Sequence, residues 1–222
     1  MVELAGSSLL KRQVATLDSL GVGDVTVVTG YRAEIIESAG FRTIVNQEFA
    51  SSNMVHSLFC ASSLMGGDDD LIIAYGDIVY EPKVLQALLE SDASMSVVVD
   101  LEWRRYWELR MEDPLADAET MKINEQGLIT ELGKKPQGLD EIQGQYIGLI
   151  KVRKDRVAAL KDLYEAMDSE VTYDGQSYQQ MYMTSFIQHA IDSGWLAKAV
   201  PIANGWLEVD TLGDLDLYRR ME

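Results

Sequence analysis

The chain has 222 residues, of which 36 are acidic and 19 basic, so its formal net charge is −17. Such a surface repels the phosphates of nucleic acid, and DNA or RNA binding is disfavoured. No apolar stretch is long enough to span a bilayer, and the N-terminus lacks the pattern of a signal peptide. With one cysteine, no internal disulfide can form, and we expect a cytoplasmic protein without a membrane partner.

The first elements alternate in type with short connections. An amphipathic helix over residues 9–20 is ended by Gly21. A strand over 24–30, a short helix through Ile35 and Ile36, a strand over 42–46 and a helix over 54–65 are then predicted. Ser52 or Asn53 is expected to cap the last of these helices.

Residues 71–77, with the sequence LIIAYGD, are the most informative segment. An apolar run without polar alternation is typical of a strand buried on both faces inside a parallel sheet. The run ends at Gly76-Asp77, and ligands of wound α/β sheets bind where strands end. A carboxylate behind a glycine that allows close approach is suited to hold a metal and a phosphate.

The segment WLEVDT at 206–211 repeats this pattern of a short apolar strand, an aspartate and a helix. Asp77 and Asp210 would therefore converge if both strands lie parallel in one sheet. The alternative is that each aspartate only forms a turn, with Thr211 or Asp210 capping the helix 212–221.

Between these segments the pattern changes. A helix over 83–90 and a strand over 94–100 continue the alternation, whereas 119–124 and 128–132 predict a hairpin. We interpret the chain as a single α/β domain, residues 1–222, with a mostly parallel, wound, Rossmann-like sheet and a small antiparallel excursion near 119–152. Further elements are predicted in the excursion and beyond it: an extended run over 144–152, helices through 157–167 and 181–191, and a strand over 198–203.

Eight segments give the chain a resemblance to a known family. It resembles the nucleotidyltransferases of GT-A-like fold that join a nucleoside triphosphate to a phosphorylated small molecule, and within them the phosphocholine and aminoethylphosphonate cytidylyltransferases. The segments occur in the expected order over nearly the whole chain: VELAGSSLL at 2–10, VVTGYR at 27–32, NQEFASSNMVHSL at 46–58, YGDIV at 75–79, DPLADAE at 113–119, ELGKKP at 131–136, QGQYIG at 143–148 and WLEVDTLGDL at 206–215.

The resemblance implies a mechanism and a set of site residues. Asp77 and Asp210 would bind Mg²⁺, which bridges the triphosphate, CTP being favoured, and the incoming phosphate or phosphonate. Further roles are implied for three groups: Asn53, Ser57 and Gly76 in nucleotide binding, Lys135 on the acceptor phosphate, and Glu119, Tyr146 and Trp206 around the acceptor. The alternatives are a helix cap and an exposed serine for Asn53 and Ser57, a solvated charge for Lys135, and core positions for the aromatic residues.

The family's opening strand and glycine-rich phosphate loop are not found before the first helix, where only Val2-Glu3-Leu4 stands. Three explanations are open: a start assigned too late, a fragment, or a homologue that binds without catalysing. A regulatory binding module, a sugar-1-phosphate nucleotidyltransferase and a retaining glycosyltransferase are therefore kept as alternatives. A homodimer is also compatible with the sequence.

Overall fold

The computed structural model describes residues 1–221, in which eight α-helices and fourteen strands follow one another. The helices are α1 (Leu9–Ser19), α2 (Ala33–Ser38), α3 (Met54–Cys60), α4 (Pro82–Leu89), α5 (Trp103–Arg110), α6 (Lys154–Glu165), α7 (Met183–Asp192) and α8 (Leu212–Met221). The strands are β1 (Glu3–Leu4), β2 (Ser7–Ser8), β3 (Val27–Thr29), β4 (Thr43–Val45), β5 (Leu71–Ala74), β6 (Ile78–Tyr80), β7 (Met95–Asp100), β8 (Met121–Ile123), β9 (Ile129–Leu132), β10 (Gln145–Val152), β11 (Thr172–Tyr173), β12 (Gln176–Ser177), β13 (Ala197–Ile202) and β14 (Trp206–Glu208).

The main sheet has four strands in the order β13-β7-β10-β5. Strands β5, β7 and β13 share one direction, and β10 runs against both of its neighbours. The α/β class is confirmed, with a mixed rather than purely parallel sheet. The placement of residues 144–152 in the antiparallel excursion was wrong, because β10 lies inside the main sheet. Its residues 147 and 149–152 are all buried, as expected of a strand covered on both faces.

Strand β5 differs from its prediction. It pairs with β10 on one side only, and all four of its residues are half-buried rather than buried on both faces. The apolar run was correctly identified as a strand. Its position in the sheet depends on non-local pairing, which periodicity does not report.

Side chains of β7 alternate between two hydrophobic clusters, one on each face of the sheet. Val97 and Val99 pack in the cluster that contains α3, α6 and α7, whereas Val98 packs in the cluster of α1, α4 and α5. Because neighbouring residues of a strand face opposite ways, helices on both faces bury the whole strand. Across the described residues, none of the helices combines the length and the apolar character that a bilayer crossing requires.

Five strand pairs lie outside the main sheet within the described residues, and three of them adjoin segments that carry predicted site residues. Strands β3 and β4 are parallel, β8 and β9 form the predicted hairpin, and β6 pairs with β14 in an antiparallel ribbon. The hairpin joins the main sheet through a bridge between Leu128 and Lys198. The ribbon connects the segment after β5 with the segment before α8.

Candidate active site

Asp77 and Asp210 converge through the β6–β14 ribbon. Glu208 pairs with Ile78, and the amide of Val209 donates to the carbonyl of Asp77 at 2.9 Å. The expected route was wrong, since β5 and β14 do not lie in one sheet, and the contact is made by β6, which runs antiparallel to β14. The expected meeting nevertheless occurs, because pairing places the residue before β6 beside the residues that follow β14.

The carboxyl group of Asp77 is left without a protein partner on one oxygen. Its Oδ1 atom is buried and accepts no hydrogen bond from the described residues. Burial raises the pKa of Asp77, and the negative charge of Asp210 raises it further. An oxygen in this situation fits a cation, which would supply the missing partner and relieve the repulsion.

No group of three or more His, Cys, Asp or Glu side chains within residues 1–221 is arranged to hold a metal ion. Two carboxylates are compatible with Mg²⁺, which prefers oxygen ligands and is commonly held by one or two carboxylates together with water and substrate phosphates. The residues present therefore fit Mg²⁺ as an ion that shares its coordination with the substrate.

Arg110 on α5 connects the aspartates to the rest of the fold. Its guanidinium group is 3% exposed and binds three carboxylates, those of Glu208 at 2.6 Å, Asp210 at 2.6 Å and Asp214 at 2.9 Å. Its planar, forked group suits several carboxylates at once. Burial raises the pKa of Glu208 to about 7, although the ion pair with Arg110 opposes that shift.

The start of α8 shows that Asp210 is not its cap. The Thr211 hydroxyl accepts from the amide of Asp214 at 3.2 Å, and the Asp214 carboxylate accepts from the amide of Thr211 at 2.8 Å. This reciprocal pair is a capping box. The side chain of Asp210 is half exposed, and its hydrogen bond goes to Arg110.

Glu119 and Tyr146, two of the residues expected around the acceptor, lie in the surroundings of Tyr75, which stands two residues before Asp77. The rings of Tyr75 and Tyr146 meet edge to face with centroids 5.7 Å apart, and the charges of Asp77 and Glu119 raise the pKa of both tyrosines further than burial alone. Burial, followed by the charge of Asp117, raises the pKa of Glu119 to about 7. Two tyrosine rings thus lie within the electrostatic reach of both Asp77 and Glu119.

Asn53 and Ser57 lie one turn apart at the start of α3. Asn53 caps the helix, with its Oδ1 accepting from the amide of Met54 at 2.9 Å. The Ser57 hydroxyl accepts from Asn46 Nδ2 at 3.0 Å, and the same amide donates to Ser52. Asn46, which is 1% exposed, was missed as an organiser of this polar group, although it lies in the segment NQEF.

The remaining predicted residues have different surroundings. The ammonium of Lys135 donates to the carbonyls of Leu115 and Ala116, so it holds a loop. The indole of Trp206 is buried and donates to Asp100 at 2.9 Å. Gly76 is exposed, and a Cβ there would meet no atom within 4 Å, which leaves open space beside Asp77.

The sequence reasoning missed Arg110, Glu208 and Asp214. A signal for α5 was present, because Trp103, Tyr106 and Trp107 follow the i, i+3, i+4 spacing of a helical face. All three aromatic side chains are buried. No local pattern indicated that Arg110 meets carboxylates about a hundred positions later in the chain.

Comparisons with known proteins identify the class of enzyme to which this fold and its pair of aspartates belong. The domain family described as MobA-like NTP transferase matches residues 1–179. The chain therefore belongs to the MobA-like NTP transferase family. It is 36% identical over 226 residues to CTP:phosphoglutamine cytidylyltransferase of Campylobacter jejuni, a match that covers 98% of this chain and 89% of that protein.

Two further similarities are more distant. CMP-5'-(3-aminopropyl)phosphonate synthase of Streptomyces rubellomurinus is 28% identical over 105 residues, covering 44% of this chain and 16% of that protein. The solved structure of the inositol-1-phosphate CTP transferase from T. maritima aligns with a TM-score of 0.71 at 18% identity, covering 99% of this chain and 85% of that one. This structural likeness confirms the GT-A-like fold.

Proposed function

We propose that the chain transfers CMP from CTP to the phosphate or phosphonate oxygen of a small acceptor that also carries an ammonium group. The observation that supports this most is the buried, unpartnered oxygen of Asp77 beside Asp210. It occurs in a chain that is 36% identical, over 98% of its length, to a cytidylyltransferase.

Asp77 and Asp210 would hold Mg²⁺ between them. When bound, the ion supplies positive charge that allows two phosphate groups to approach and fixes their orientation. Arg110 holds Asp210 through a 2.6 Å ion pair, which keeps that carboxylate facing Asp77 before substrate arrives. Such a preorganised arrangement reduces the reorganisation needed during the reaction.

The acceptor oxygen forms a bond to the α-phosphorus of CTP while the bond from that phosphorus to the β-phosphate bridging oxygen breaks, and pyrophosphate leaves. The acceptor phosphate is already ionised, so no histidine or cysteine base is required. The proposed role of this chain is therefore to position two anions rather than to transfer protons.

The other residues keep the roles that the family resemblance implies, except where their contacts oppose those roles. Asn53 and Ser57 supply an amide and a hydroxyl for the cytosine edge. Glu119 receives the acceptor's ammonium group, with Tyr146 beside it. Lys135 would have to leave the carbonyls of the loop 114–116 to reach an acceptor phosphate, and Trp206 is omitted because its indole serves the core.

Pyrophosphate release is the direct test. The intact chain would be assayed with CTP, Mg²⁺ and a panel of acceptors: phosphorylated glutamine, phosphocholine, aminoethylphosphonate and a hexose 1-phosphate. We expect turnover with an amino-bearing acceptor, loss of at least a hundredfold in Asp77→Asn and Asp210→Asn, and normal turnover in Asp69→Asn, an exposed control. Activity retained in both site variants would refute the metal assignment, and turnover with the hexose 1-phosphate alone would refute the acceptor class.

Calorimetry with CTP and Mg²⁺ separates catalysis from binding. Heat of binding without turnover of any acceptor would favour the regulatory module over the enzyme. No heat with CTP, but clear heat with another nucleoside triphosphate, would overturn the choice of nucleotide.

A further inference from the structure

A second cavity lies at the far end of the β6–β14 ribbon. It has a volume of about 710 Å³, within the usual range for small-molecule sites. It is lined by residues of the ribbon, of α1 and of α5, together with the turn that leads into β14. Neither Asp77 nor Asp210 lines it, and Tyr80 stands three residues after Asp77, roughly 10 Å along the strand.

One polar group without a partner belongs to a residue that lines this cavity. Tyr80 is 6% exposed, lines the cavity, and its hydroxyl group forms no hydrogen bond with the described residues. Buried hydroxyl groups are normally paired, so an unpaired one needs an explanation. A ligand in the cavity would reach this oxygen, and become its partner, after a shift of the Tyr80 ring.

The rim of the cavity is basic in a chain that is otherwise strongly acidic. Arg12 and Arg105 both line it, and Arg105 has no ion pair within residues 1–221. Arg12 is fixed by its bonds to the carbonyls of Leu4 and Ala5. The one acidic residue of the lining, Glu81, is already paired with Lys83 at 2.8 Å. An anionic ligand is therefore favoured over a cationic one.

The floor and walls supply an apolar surface. The apolar and aromatic side chains of the lining come from α1, α5 and the ribbon: Ala15, Val79, Tyr106, Leu109, Trp206 and Leu207. Asn204 adds an amide, and its left-handed backbone with φ of 55° is held by a bond from its N–H to Asp100. A ring can lie on the apolar surface while a phosphate reaches Arg105.

We infer that this cavity is a second ligand site for a phosphorylated, ring-bearing molecule of nucleotide size, separate from the aspartate pair. Helix α5 links the two places. Tyr106 forms part of the cavity wall and accepts a hydrogen bond from the amide of Glu208 at 2.7 Å, and Arg110 follows one turn later. A ligand in the cavity therefore changes the position of Arg110, and with it that of the carboxylates of Glu208 and Asp210, through this helix.

Binding of CMP, cytidine and inorganic phosphate to the intact chain tests the site without requiring catalysis. Leu109 is 49% exposed, so Leu109→Trp fills the cavity without disturbing the core. Arg105→Glu reverses the rim charge, and Arg104→Glu is the matched control, because Arg104 lies beside it on α5 but outside the cavity. Tyr80→Phe removes only the hydroxyl.

We expect one class of CMP sites in the wild type to be lost in Leu109→Trp, weakened at least tenfold in Arg105→Glu, weakened less in Tyr80→Phe and unchanged in Arg104→Glu. Cytidine and phosphate alone should bind that class at least tenfold more weakly than CMP. Identical CMP binding in wild type and Leu109→Trp would overturn the inference, as would equal binding of cytidine and CMP.

Inhibition kinetics test the link through α5. Where the chain turns over, CMP should show mixed inhibition against CTP in the wild type, because it binds both the active site and the second cavity, and purely competitive inhibition in Leu109→Trp. Purely competitive inhibition of the wild type would overturn the link. A chain without any turnover would contradict the proposed function, whereas the binding experiment would still decide whether the second site exists.

Discussion

Replacing Gly148 by alanine would test the packing that supports the site. Gly148 has φ of +81°, and a Cβ built on it lies 2.6 Å from Cγ of Tyr75. The left-handed backbone costs a non-glycine residue about 1–2 kcal/mol. Displacing the ring adds about 1–3 kcal/mol of overpacking. We therefore expect Gly148→Ala to lower the free energy of unfolding by about 2–5 kcal/mol, measured by urea denaturation.

Gly175 offers a matched control for the backbone part of this effect. It also has φ of +81°, but a Cβ there would meet no atom within 4 Å. Gly175→Ala should lose only about 1–2 kcal/mol, so the difference between the two variants measures the clash with Tyr75. Equal losses in both variants would refute the reasoning, since they would show that the ring moves freely away. Because Tyr75 stands two residues before Asp77, Gly148→Ala should also reduce turnover.

Two further predictions concern charge. Arg110→Lys should lower the free energy of unfolding by about 2–4 kcal/mol, because an ammonium cannot replace a buried guanidinium that binds three carboxylates at once. Arg104→Lys, in an exposed pair, should change it by less than about 0.5 kcal/mol, and equal effects in the two variants would contradict this. The pKa of Glu119 is about 7 in the folded chain, whereas the ordinary value is 4.5, so the folded chain holds this proton to a higher pH than the unfolded chain does. Stability is therefore lost as pH rises through that window, by at most about 3 kcal/mol. Urea midpoints at pH 5 and 8 should differ less in Glu119→Gln than in wild type or in the exposed control Glu125→Gln, and an unchanged difference would contradict the assignment.

Local signals were sufficient for most of the elements. The apolar face of α1, the proline at the first position of α4 and the turn of the β8–β9 hairpin each depend on residues within one or two turns of chain. These three elements were predicted to within a few residues. Helix α3 is an exception, because it ends at Cys60 before a short 3-10 turn, whereas the prediction ran on to residue 65. Propensity, capping and turn chemistry act over that same range, so the sequence reports them directly.

Strand order and partner choice were not accessible in the same way. The insertion of β10 between β5 and β7 depends on backbone pairing between segments some 50 to 80 residues apart. Nothing in the alternation of residues 144–152 distinguishes a central strand from part of a peripheral excursion. The convergence of Asp77 with Asp210 was predicted, yet the antiparallel ribbon that produces it was not, for the same reason.

The distribution of charge around Asp77 separates a structural from a functional interpretation. A purely structural ion cluster pairs every buried carboxylate, since an unpaired one costs stability. Here Arg110 serves the three carboxylates that follow β14 or lie within it, while Asp77 Oδ1 has no partner among the described residues. The raised pKa of Asp77 means that its ionised form is less favourable in the folded chain than in the unfolded chain. The free energy of unfolding therefore falls as pH rises and Asp77 loses its proton. Asp77→Asn removes this ionisation, so it should increase the free energy of unfolding at pH 8 but not at low pH. A variant that gains stability while losing turnover would indicate a carboxylate kept for binding, whereas a loss of stability at pH 8 would show that Asp77 belongs to the structural cluster.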